Sequence, residues 1–105
     1  MSCCDAMHGS EGQAAGEPAA AKATQEKFLD FMKAAGAPGA LDARTKRVLA
    51  VALSVLARCE PCAKIHIRKA KEAGLSQEEI DEAAWMAVSF GGCSAMMFYN
   101  EVKKI

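Results

Sequence analysis

Two cysteines, a proline and a histidine crowd into one short stretch, Cys59-Glu60-Pro61-Cys62-Ala63-Lys64-Ile65-His66. On a helix, spacings of three and four bring Cys59, Cys62 and His66 onto one face. A thiol reacts as its thiolate, and an ordinary cysteine is mostly protonated near neutral pH. A helix N-terminus offers free N–H groups and the positive end of the macrodipole, and both favour an anion. Pro61 argues for that placement, because proline is tolerated in a first helical turn and disfavoured further in. The chemistry this suggests is thiol–disulfide exchange. Cys62 can be oxidised and Cys59 can resolve it as a disulfide, or the order can be reversed, with His66 moving the proton of each step.

A structural metal site is the main competitor. Cys59, Cys62 and His66 make three of the four ligands zinc prefers, with Cys93 or His8 as a fourth, yet no second C-x-x-C is present to close the set. Covalent haem attachment needs histidine directly after the second cysteine, where Ala63 stands. A thioredoxin fold needs strands around the motif, and the chain shows no strand pattern. Cys93, taken alone, reads as a small buried apolar residue. The adjacent pair Cys3-Cys4, with Met7 and His8 close by, could pass electrons to Cys59, capture a soft metal ion, or be incidental.

The surrounding elements must hold this stretch in place. The chain has 105 residues, 51% hydrophobic and 25% charged, with a formal net charge of zero. That is one globular domain, with nothing to draw it to nucleic acid or to an anionic membrane. The longest apolar stretch, Val48 to Ala57 broken only by Ser54, is too short for a bilayer, which takes about 20 residues. MSCCDAMHGSEG has neither the basic nor the apolar region of a secretion signal, so the expected compartment is the cytoplasm. Five cysteines there suggest reactive or metal-binding thiols over a disulfide framework.

Residues 1–21, rich in Gly, Ala, Ser and Glu, are expected to be a flexible tail, and residues 22–105 a domain of about five helices, all-α in class. The first helix is predicted from about Ala23 to Ala35, with Phe28, Leu29, Phe31 and Met32 on its apolar side. The second starts after Asp42 as N-cap and runs to about Arg58 as a buried central helix. The third spans the motif and stops at Gly74, its Lys64, Arg68, Lys69 and Lys71 forming a solvated face. Ser76 with Glu79 forms a capping box for a fourth helix ending at Gly91-Gly92. The fifth carries Ala95, Met96, Met97, Phe98, Tyr99 and Val102. Its adjacent bulky residues cannot all face one small core, which predicts an oligomer.

The run from Thr45-Lys46 through the apolar helix to Cys59-Glu60-Pro61-Cys62 and His66, then Gly74-Leu75-Ser76-Gln77-Glu78-Glu79-Ile80-Asp81-Glu82-Ala83, resembles the alkylhydroperoxidase D (AhpD)-like, carboxymuconolactone decarboxylase family. Gly91-Gly92-Cys93 and Ala95-Met96-Met97-Phe98-Tyr99 are similar to the glycine-rich turn and last helix of its small members. The resemblance implies an all-helical fold assembled as a homotrimer or homohexamer. It also implies, in the redox branch, a cysteine pair that reduces hydroperoxides or disulfides with electrons from a dithiol donor such as a lipoylated or thioredoxin-like protein. No cofactor is implied. In that branch the second cysteine, here Cys62, attacks peroxide and the first, Cys59, resolves it, with His66 carrying protons. Lyases of the family typically lack the full pair, so a decarboxylase stands behind the redox reading, as does a metal-binding protein. One position departs from the pattern. Peroxidase members carry a glutamate twelve residues before the first cysteine, and Arg47 stands there. Arginine cannot serve as a base at neutral pH; it can bind an anionic group or make a surface ion pair, the plainer expectation. The departure weakens the case for peroxide reduction and leaves that for disulfide exchange intact.

Overall fold

The structure, a computed structural model, describes residues 19–104, so Cys3, Cys4, Met7 and His8 lie outside the described residues. Five helices and no strand occur among the residues it describes: α1 (Ala19–Gly36), α2 (Ala43–Leu56), α3 (Glu60–Glu72), α4 (Gln77–Gly91) and α5 (Cys93–Val102). None is long and apolar enough to cross a membrane.

Local sequence sets most boundaries. Asp42 caps α2 by accepting the Thr45 N–H at 2.7 Å, satisfying a donor that the helix leaves unpaired. At the start of α4, Ser76 Oγ accepts the Glu79 N–H at 3.0 Å, and the Glu79 carboxylate accepts the Ser76 N–H at 2.9 Å. That reciprocal box holds the Glu79 carboxyl below its ordinary range, with a further bond from Arg44 helping. α3 ends in a Schellman motif: Gly74 takes a φ of +92°, and the Leu75 N–H reaches the Ala70 carbonyl at 3.0 Å. Leu75, thrown inward by the turn, is buried. α1 begins earlier than the sequence suggests, at Ala19, because the Ala19-Ala20-Ala21 run has the highest intrinsic helix propensity of any residue type.

α2 is the central helix, touched by α3, α4 and α5. Arg44 at its first turn pairs with Glu79 at the first turn of α4. At the other end, a Cβ on Gly91 of α4 would lie 3.0 Å from Leu56 Cδ1 of α2. α2 and α4 therefore run parallel, with α3 returning between them in the chain. The core is small and shared: Val51 and Val55 from α2, Ala63 and Ile67 from α3, Ile80 and Ala84 from α4, and Tyr99 and Val102 from α5 are all buried. Burying each large aliphatic side chain contributes about 1.5–3 kcal/mol. Tyr99 brings a hydroxyl inward and donates it to Asp81 Oδ1 at 2.5 Å, so the phenol keeps a partner.

Two expectations about α2 and α1 need correction. The apolar α2 run is central without being enclosed: Leu49 is 42% and Leu53 60% exposed, because the core occupies only the side carrying Val51 and Val55. α1 buries no residue at all, and Phe31 on its apolar side is 63% exposed. The helix is held at its C-terminal end, where Lys46 Nζ of α2 donates to the Ala35 carbonyl at 2.9 Å.

Candidate active site

The α2–α3 junction is built from an unusual residue choice. α2 closes with its own Schellman motif, in which the Cys59 N–H reaches the Ser54 carbonyl at 3.3 Å and the Arg58 N–H reaches Val55 at 3.0 Å. The left-handed position of such a turn favours glycine, yet here it is Arg58, with φ of 53°. The turn hands the chain to Cys59 in an extended conformation, as the N-cap of α3. Arg58 is anchored by a bond from its guanidinium to Ser94 Oγ of α5 at 3.0 Å. Neither Arg58 nor Ser94 carries a motif signal, and only the fold brings Ser94 to Arg58.

Cys59 and Cys62 are joined as a disulfide, with their Cα atoms 5.2 Å apart. Cys59 Sγ also accepts the Cys62 N–H at 3.4 Å. The sulfur thus occupies the place that a serine or aspartate oxygen takes at an ordinary N-cap, where the orphaned N–H groups favour negative charge. Pro61 stands in the first turn, where it removes no helical bond. Cys59 is half-buried and Cys62 buried.

His66 lies one turn beyond Cys62 on the same helix, half-buried. Its Nδ1 is buried with no hydrogen-bond partner among the described residues. Burial, together with the charges of Lys69 and Arg47, holds the imidazole pKa below its ordinary value of 6.5. The ring is therefore neutral at pH 7 and free to take a proton.

His66 forms part of the wall of a cavity of about 510 Å³ between α1, α2 and α3. Its polar lining is cationic: Lys33 from α1, Lys46 and Arg47 from α2, and Lys69 from α3. Leu29, Met32 and Ala50 are among its apolar walls. The sulfurs of the disulfide are not part of this lining, so the cavity ends at the histidine. Arg47 makes no ion pair among the described residues, contrary to the plain surface reading. Lys69 likewise belongs to the cavity rather than to an open solvated face.

Cys93 also departs from expectation. It is exposed and, among the described residues, has no disulfide partner; it is the first residue of α5 and follows Gly92, which takes a φ of 72° and a ψ of −155°. Among the described residues, no group of three or more His, Cys, Asp or Glu is arranged to hold a metal ion. In the disulfide form, the bond between Cys59 and Cys62 occupies both sulfurs that a metal would need.

Comparison with known proteins agrees with this fold. Residues 22–102 match the sequence profile of the carboxymuconolactone decarboxylase family. The chain is 36% identical over 89 residues to uncharacterized protein 4 in the cox locus of Paracoccus denitrificans, covering 84% of this chain and 80% of that one. A carboxymuconolactone decarboxylase family protein from Legionella pneumophila superposes with a TM-score of 0.73 at 31% identity, over 86% of this chain and 80% of the other. A Thermotoga maritima protein of the same family, for which a part in the antioxidative response has been suggested, gives 0.72 at 28% identity over 77% and 69%.

Proposed function

The chain belongs to the carboxymuconolactone decarboxylase family, and from that premise we propose that it is a thiol–disulfide oxidoreductase of the alkylhydroperoxidase-like, antioxidant kind. The observation that carries the reading is the Cys59–Cys62 disulfide at the N-terminus of α3, with Cys59 half-buried and Cys62 buried. The suggested antioxidative role of the Thermotoga maritima relative supports the same direction.

In the reductive half-cycle, a donor thiolate attacks Cys59 Sγ. The S–S bond breaks, a donor–Cys59 mixed disulfide forms, and Cys62 leaves as a thiolate that takes a proton by way of His66. The donor's second thiolate then attacks its own sulfur in the mixed disulfide. Cys59 is released, and the donor departs as a disulfide. In the oxidative half-cycle, two electrons leave the Cys59–Cys62 dithiol to a disulfide substrate by the reverse exchange. With a hydroperoxide, Cys62 thiolate attacks the terminal oxygen and becomes a sulfenic acid as an alcohol leaves. Cys59 thiolate then displaces hydroxide, which leaves as water after protonation, and the disulfide re-forms. A neutral His66 is the proton carrier for both halves. Donors of the lipoylated or thioredoxin-like type suit a paired site that works by exchange, and the reducing cytoplasm is the compartment in which it cycles. A homo-oligomer, trimer or hexamer, is the assembly proposed.

The test is lipoamide-dependent turnover of a disulfide and of a hydroperoxide, followed together with thiol titration. Cys62→Ser should abolish both, a loss of at least about a hundredfold, while Cys93→Ser should leave them intact. Full turnover by Cys62→Ser would refute the mechanism.

A further inference from the structure

We infer that the cavity between α1, α2 and α3 is a binding site for an amphiphilic carboxylate, an organic acid with an aliphatic body. Four cations from three different helices, Lys33, Lys46, Arg47 and Lys69, line it together with His66, and no carboxylate is among the lining residues. Lys46 spends one donor on the Ala35 carbonyl. None of the four is in an ion pair among the described residues. Like charges gathered at one cavity repel each other when it is empty, and an anion seated among them turns that repulsion into attraction. Arginine matches the two oxygens of a carboxylate with two parallel donors. The remaining walls, from Leu29, Met32, Pro38 and Ala50, are apolar and suit a hydrocarbon chain. The volume of about 510 Å³ lies within the usual range for small-ligand sites.

The ligand and the histidine are linked. Arg47 and Lys69 are the charges that, after burial, weaken the hold of His66 on its proton. Lys33 and Lys46 complete the cationic surroundings on the other sides of the cavity. A carboxylate bound among them offsets these charges and raises the affinity of His66 for a proton. By linkage, the acid binds more tightly as pH falls through the His66 titration. As a statement about substrates, namely that acid-bearing hydroperoxides or disulfides are preferred, the inference rests on the oxidoreductase reading. As a statement about binding, it does not.

The experiment is an NMR titration of His66 in the full chain, its signals identified by their loss in His66→Gln, with octanoate, octanol and octylamine as probes. Octanoate should bind saturably and raise the His66 pKa, octanol should bind more weakly without raising it, and octylamine should not compete. Arg47→Glu should weaken octanoate by roughly tenfold or more. Lys33→Glu, an exposed change on α1, should weaken it in the same direction. Equal binding of octanoate and octylamine, an unmoved His66, or indifference to both substitutions would overturn the site. Octanoate binding without any thiol turnover would uphold the site and refute the oxidoreductase. Turnover with no octanoate binding would do the reverse.

Discussion

At the scale of single residues, His66 shows how placement sets chemistry. The spacing from Cys62 predicts a histidine on the sulfur face, and His66 lies on the same helix, one turn on. Lys69, three residues on, is a neighbour that spacing also encodes, but burial and the approach of Arg47 from α2 are tertiary facts that it does not. They have a consequence for stability. Since the folded pKa is depressed below 6.5, acidification protonates this histidine first in the unfolded chain. Stability from this group is therefore fully present above about pH 6.5 and is lost as pH falls from there through the lower folded pKa. The carboxyls whose pKa values are lowered by folding, Glu79 and Asp81 among them, start from 4.5 and 3.8 and lose their share only in more acidic solution. Urea unfolding at pH 7 and pH 5.5 separates the two windows. The wild-type midpoint should fall between them, and His66→Gln should flatten that fall. An equal fall in the variant would assign it to other groups.

At the scale of elements, the sequence was most legible where a local signal has a local partner. Asp42 before α2, the Ser76–Glu79 box and Pro61 in the first turn of α3 each satisfy backbone donors within a few residues, so their meaning survives without the rest of the fold. The end of α2 was less legible. A left-handed turn is ordinarily announced by glycine, as at Gly74, and Arg58 gives no such announcement. A β-carbon in that conformation costs about 1–2 kcal/mol. Arg58→Gly removes that cost, forfeits the exposed bond to Ser94, and adds unfolded-state entropy of about 0.5–1 kcal/mol. The expected net is a stabilisation of about 0.5 kcal/mol. Arg58→Val, β-branched at the same position, should lose more than 1 kcal/mol. Thermal or denaturant melts of the two variants check the order. If Val proved the more stable, the turn would not have the conformation described.

At the scale of the whole molecule, several large apolar side chains are left on the surface. The bulky residues of α5 predict surplus apolar side chains, and Met97 is indeed 63% exposed, but Tyr99 and Val102 are absorbed by the core. Most of the surplus sits elsewhere: Leu49 and Leu53 on α2, and Trp85, Met86 and Phe90 on α4, with Phe90 79% exposed. Periodicity could not reveal this for α2, because a run that is apolar on every side has no face to read. Only the parallel placement of α4 decides which side is left out. Large apolar side chains left exposed on two adjoining helices are candidates for contact with another chain, and burying them between copies of the chain is the expected outcome. Sedimentation equilibrium should therefore give a mass above that of one 11.1 kDa chain. Leu53→Glu with Phe90→Glu should shift it towards the monomer while the far-ultraviolet circular dichroism stays helical. The charge swap Glu60→Lys with Lys64→Glu, at an exposed ion pair on α3, should leave the mass as it was. A wild-type chain that sediments as a monomer at micromolar concentration would mean that this surface is simply tolerated in water, and the proposed assembly would fall with it.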